Sequence, residues 1–124
     1  MESPIKNQMN TVFVHVSELP LSVEWYCRLL GQTYVAEKVS DPIYNMEIND
    51  YTGLLLDAGP PGEKQQVHPS KHPIFNFHTD NIEKAYSYVQ EIGYQIESPI
   101  ERYEDLAFFN IKDPDGNIIM ICNG

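Results

Sequence analysis

Cations are scarce in this chain. Eight lysines and arginines stand against 18 aspartates and glutamates, a formal net charge of −10 at pH 7. A nucleic-acid surface needs clustered Lys and Arg to neutralise phosphates, so no nucleic-acid partner is expected. Acidity is compatible with a cationic small ligand, although it more often serves solubility. Cysteine is nearly absent: Cys27 and Cys122 are the two, and no CxxC spacing occurs. Both read as small core residues, reduced thiols of a cytoplasmic protein. No apolar run approaches the ~20 residues that span a bilayer, so no membrane partner is expected. The opening "MESPIKNQMN" has no basic start followed by an apolar stretch, and no signal peptide is read there.

What the chain does contain is a repeat. Residues 12–31 read "VFVHVSELPLSVEWYCRLLG" and residues 75–93 read "FNFHTDNIEKAYSYVQEIG". Placing His15 on His78, an offset of 63 residues, aligns a strand, a polar turn, an amphipathic helix and a glycine stop. Self-similarity at so long a period signals a duplicated supersecondary unit. The 124 residues, 42% of them hydrophobic, suit one domain of two modules. A module of about 60 residues buries too little core to stand alone. The two are therefore expected to pack together, with any binding site in the cleft between them.

The first module, about residues 10–58, opens with a strand at Thr11–Val16 whose Val12, Val14 and Val16 share one face. Ser17 can cap a helix, Pro20 suits its first turn, and Leu19, Val23, Tyr26, Cys27 and Leu30 form its buried stripe up to Gly31. Strands are predicted at Thr33–Val39, Tyr44–Asn49 and Leu54–Ala58. Residues 59–73, rich in proline and glycine, read as a linker. The second module, about 74–123, repeats the order. A strand at Ile74–Thr79 leads to a helix capped by Asp80 or Asn81, with Ile82, Ala85, Val89 and Ile92 buried and Gly93 as its stop. Strands follow at Tyr94–Ser98, Leu106–Lys112 and Asn117–Asn123, with a tight turn at "DPDG", Asp113–Gly116.

Three stretches, "HVSELPLSVEWYCRLLG", "FHTDNIEKAYSYVQEIG" and "FFNIKDPDGNIIMI", resemble the vicinal oxygen chelate superfamily of glyoxalases, extradiol dioxygenases and bleomycin-resistance proteins. The resemblance implies an α+β fold: two βαβββ modules forming a curved mixed sheet, with the helices on its convex side. It also implies a homodimer, and Trp25 or the linker is expected near the contact.

Enzymes of that superfamily hold one divalent metal with two ligands from each module, each a His, Glu or Gln. Carried over to this chain, the opening positions fall on Thr11 and Ile74 and the last-strand positions on Leu56 and Met120. None is a usual ligand for a hard or borderline ion. No metal and no other cofactor is therefore expected. His15 and His78 each lie four residues past an opening position, about 13 Å along the strand, so a shared metal is not expected from them. Each reads as a strand-end residue bonding the next helix cap, or as a ligand contact. His68 and His72 sit among Pro69 and Pro73, which disfavour the helix that would bring them together. Glu47 and Asp57 are lone carboxylates, read as solvated rather than as general bases.

The concave face is expected to carry Thr11, Phe13 and His15, then Ile74, Asn76 and His78, with Leu56, Phe108, Asn110, Ile118 and Met120 from later strands. Such a lining, apolar and aromatic with a few hydrogen-bonding groups, suits a small-molecule pocket. The candidate ligand-binding residues are Phe13, His15, Asn76, His78, Phe108, Asn110 and Met120. The leading expectation is metal-independent binding of a small, partly aromatic ligand, after the bleomycin-resistance branch. The alternatives are a metal-dependent glyoxalase-like lyase or dioxygenase with displaced ligands, and a noncatalytic assembly module.

Overall fold

Alternating apolar residues build the first strand of the computed structural model, which describes residues 1–124. The chain groups into two units: residues 1–28 with 32–66, and residues 29–31 with 67–124. The segment 59–73, expected as a linker, is shared out between them.

In the first unit, β1 (Thr11–His15) runs parallel to β3 (Gly53–Asp57), and β2 (Ile43–Glu47) is antiparallel to β3, giving the order β1-β3-β2. The period-2 alternation sends Val14, Leu54, Leu56 and Met46 to one buried face. Burying each such side chain contributes about 1.5–3 kcal/mol. Helix α1 (Leu19–Leu30) buries Leu19, Val23, Tyr26 and Cys27, four of the five residues expected from its 3.6-residue spacing, while Leu30 is half-buried. Gly31 ends it at φ 70°, where Gln32 N–H donates to the Cys27 carbonyl at 2.8 Å.

The strand expected at Thr33–Val39 does not form. Ala36–Lys38 instead make a 3₁₀ turn, with Lys38 N–H donating to Val35 O and Val39 N–H to Ala36 O. Apolar alternation breaks there, since Tyr34 and Val35 are neighbours and are both half-buried. The Ala-Glu-Lys that follows favours helical backbone over strand. The first sheet therefore has three strands, and the expected βαβββ order holds only in the second unit.

That unit contains β4 (Phe75–His78), α2 (Ile82–Glu91), β5 (Gln95–Arg102), β6 (Ala107–Lys112) and β7 (Ile118–Cys122), in the sheet order β4-β7-β6-β5. β4 and β7 are parallel and the remaining pairs antiparallel. Asn81 caps α2, its side chain accepting from Lys84 N–H at 3.0 Å. Gly93, at φ 79°, stops it as Gly31 stops α1, with Tyr94 N–H donating to Val89 O at 3.1 Å. The apolar face of the sheet, with Ala107, Phe109, Ile111, Ile119 and Ile121 buried, receives α2. Tyr86 meets Phe109 edge to face at 5.0 Å.

β5 runs four residues past its expected end at Ser98. Pro99 is accommodated because β5 is an edge strand and its register slips between Ser98 and Glu101. The Asp113–Gly116 turn forms as read. Buried Asp113 ties it together, its carboxylate accepting from Asp115 N–H, Asn117 N–H and Asn117 Nδ2, each at 2.9 Å.

Candidate functional site

The side of the second sheet turned away from α2 gathers most of the expected ligand residues. Strand register sets Asn76 beside Met120, Met120 beside Asn110, and Asn110 beside Ser98, a row across all four strands. In the next row His78 neighbours Cys122 and Cys122 neighbours Phe108. Five of the seven candidate residues thus share one face because pleating alternates side chains and register aligns them.

Two features of this face are chemically specific. The Asn110 Oδ1 is buried and has no hydrogen-bond partner. The Phe108 ring stacks on Tyr103, with centroids 6.0 Å apart and planes 10° from parallel. Tyr103 was absent from the sequence-derived candidates. Once β5 is seen to extend to Arg102, Tyr103 opens the hairpin back to β6, closed by its N–H donating to Leu106 O at 2.7 Å. Tyr103 is 63% exposed, so it offers aromatic surface beyond its contact with Phe108.

His78 Nε2 lies 2.8 Å from Asp80 Oδ1, one residue before the α2 cap. The expectation of a strand-end histidine bonded next to the cap describes this geometry. Nearby, Glu83 pairs with Arg102. A hydrogen bond from its own backbone N–H, and secondly Arg102, hold the Glu83 carboxyl below its ordinary value.

On the first sheet, the side opposite Val14 carries Thr11, Phe13, His15 and Leu55, with Ile43 and Asp57 on adjacent strands. Phe13 is 64% exposed. His15 and Asp57 are cross-strand neighbours. Asp57 Oδ1 is already engaged, accepting from Gly59 N–H at 2.8 Å. Glu47 is exposed at the end of β2.

One placement is corrected. Leu56 does not line this face. It pairs with Val14 and Tyr44 and is fully buried on the opposite side. The parallel register with β1 sets Leu55 beside Phe13 on the exposed side. Leu55 has no lone pair to give either.

The donor chemistry does not fit a divalent metal. Thr11 is a weak neutral oxygen, Met120 a soft thioether, Ile74 and either leucine no ligand at all. Nowhere do three or more His, Cys, Asp or Glu side chains converge as a metal-holding group. His68 and His72 are exposed and lie outside any helix or strand. Burial pushes the Cys27 thiol pKa up, which disfavours the thiolate a nucleophile needs. Trp25 is half-buried, edge to face against Tyr26 at 4.7 Å. No helix is long and apolar enough to cross a membrane.

A family model described as the Glyoxalase/Bleomycin resistance protein/Dioxygenase superfamily matches residues 8–121. A search among curated proteins finds no match. Among solved structures, the lactoylglutathione lyase from Agrobacterium tumefaciens is 15% identical, covering 97% of this chain and 96% of its own at a TM-score of 0.71. A glyoxalase-related enzyme from Fulvimarina pelagi is 16% identical, covering 96% and 89% at a TM-score of 0.73. A protein from the mobile metagenome of V. Pseudocholerae is 21% identical, covering 99% and 98% at a TM-score of 0.71. At such identities the likeness shows the fold.

Proposed function

The chain belongs to the Glyoxalase/Bleomycin resistance protein/Dioxygenase superfamily, and from that premise we propose that it binds a small, partly aromatic ligand without a metal ion. The observation that carries this reading is the partnerless Asn110 Oδ1 close to the stacked Phe108 and Tyr103. A buried acceptor left unpaired costs about 1–3 kcal/mol. A ligand N–H or O–H arriving there would offset it, while the aromatic pair supplies apolar contact for a planar body. Asn76, His78 and Met120 complete the face.

Metal-dependent lyase or dioxygenase chemistry would need ligands displaced from all four inherited positions. The test is a thermal-shift panel of planar compounds run beside elemental analysis of the purified protein. A ligand at a hundredfold excess over its Kd should stabilise the fold by about 2.7 kcal/mol.

A homodimer is the second part of the proposal. It is supported by Phe13 at 64% and Ile43 at 48% exposure on one side of the first sheet, apolar surface that a second copy would cover. A noncatalytic assembly module would use the same surface but show no ligand-dependent shift. The free, buried Cys27 and Cys122 support a reducing, cytoplasmic setting.

A further inference from the structure

On the α2 side of the second sheet lies a cavity of about 270 Å³, lined by residues of the second unit, with which Leu29–Gly31 at the C-terminal end of α1 are grouped. It is distinct from the face that carries Asn110. Helix α2 packs across β5, β6 and β7, while β4 forms the sheet edge. Phe77 of β4 and Ile121 of β7 are cross-strand neighbours there. Leu29, Leu30 and Val89 complete an apolar wall around them.

The charge at its mouth sets this cavity apart. No aspartate or glutamate lines it, although the chain carries 18 of them. Lys84, in the first turn of α2, does line it. Lys64, Lys112 and Arg102 each pair with a glutamate, but the Lys84 ammonium makes no ion pair. The imidazole of His78, also at the rim, is already held by Asp80. A larger cavity in the first unit shows the opposite character, with Glu18, Asp41 and Glu63 in its lining.

We propose that the cavity beside Lys84 is a binding site for a small organic monoanion, a carboxylate carried on an apolar body. The apolar wall takes the body and Lys84 the carboxylate, as a charge-assisted hydrogen bond. A volume just under the ~300–1,000 Å³ of ordinary ligand pockets limits the body to roughly one ring or a short branched chain.

The test is an NMR titration of the full chain with benzoate, against neutral benzyl alcohol as the control of similar shape. Benzoate should give saturable amide shifts at Phe77, Lys84, Val89 and Ile121. Lys84→Met should weaken it about tenfold, and benzyl alcohol should bind about tenfold more weakly than benzoate. Lys84→Gln is the second variant, keeping a polar head should the methionine disturb the fold. Absence of saturable shifts, unchanged affinity in both variants, or shifts at Phe108, Asn110 and Tyr103 instead would each overturn the proposal.

Discussion

Tyr103 and Phe108 stack across the β5–β6 hairpin with their planes only 10° apart. The pair is held by the turn bond from Tyr103 N–H to Leu106 O, and one member, Tyr103, remains largely exposed. An exposed, pre-stacked aromatic costs little conformational entropy to use in binding. The same relationship makes the ligand face testable one residue at a time.

Phe108→Ala and Tyr103→Ala should each remove much of the ligand-dependent thermal shift, because each deletes stacking surface. Tyr103→Ala should leave the ligand-free protein within about 0.5 kcal/mol of wild type, as exposed substitutions do. Asn110→Leu should cost little or nothing without ligand, since it removes an unpaired acceptor, yet should abolish the shift. Thermal denaturation with and without the responding compound reads all three.

Two phenylalanines should separate core from surface. Phe109 is fully buried and meets Tyr86, so Phe109→Ala should cost about 3–5 kcal/mol in urea unfolding. Phe13 is exposed, so Phe13→Ala should cost under about 0.5 kcal/mol. Equal losses of stability would mean that the outward face of the first sheet is part of a core.

Asp113→Ala should destabilise by about 2 kcal/mol or more, because it strips three hydrogen bonds from a buried carboxylate that closes the β6–β7 turn. Chemical denaturation measures the loss, and Asp113→Asn should recover part of it.

Acid should weaken the fold through Glu83. Its carboxyl pKa lies below the ordinary value of 4.5, chiefly through its own backbone N–H and then through Arg102. A group depressed in the folded state contributes stability above its unfolded pKa, and this is lost as pH falls through the lowered folded value. The carboxyl resonance of Glu83 should therefore titrate below 4.5. Arg102→Gln should move it part of the way back, and not fully, because the backbone bond remains.

Much of this architecture was legible because it is local. The Gly31 and Gly93 stops and the Asp113–Gly116 turn depend on spacings of a few residues and formed where read, whereas of the helix stripes Leu30, Ala85 and Ile92 are only half-buried. The errors came from register. Leu56 pairs with Val14 and faces the core while Leu55 neighbours Phe13, a parity that the unbroken apolar run Leu54–Leu56 does not reveal. Pro99 hid the continuation of β5, and with it the position of Tyr103. Thr33–Val39 has β-favouring residues at its start but no alternation to hold them against a sheet. The partnerless Asn110 Oδ1 depends on three-dimensional surroundings that no spacing reports.

The central claim is that a small planar ligand binds without a metal. The direct measurement is calorimetric titration of chelator-treated protein with the best compound from the panel, with metal content determined on the same sample. The expected result is saturable binding of one ligand per site, unchanged by chelation, with no stoichiometric metal before or after it. One tightly held metal per chain, lost together with ligand binding on chelation, would contradict it.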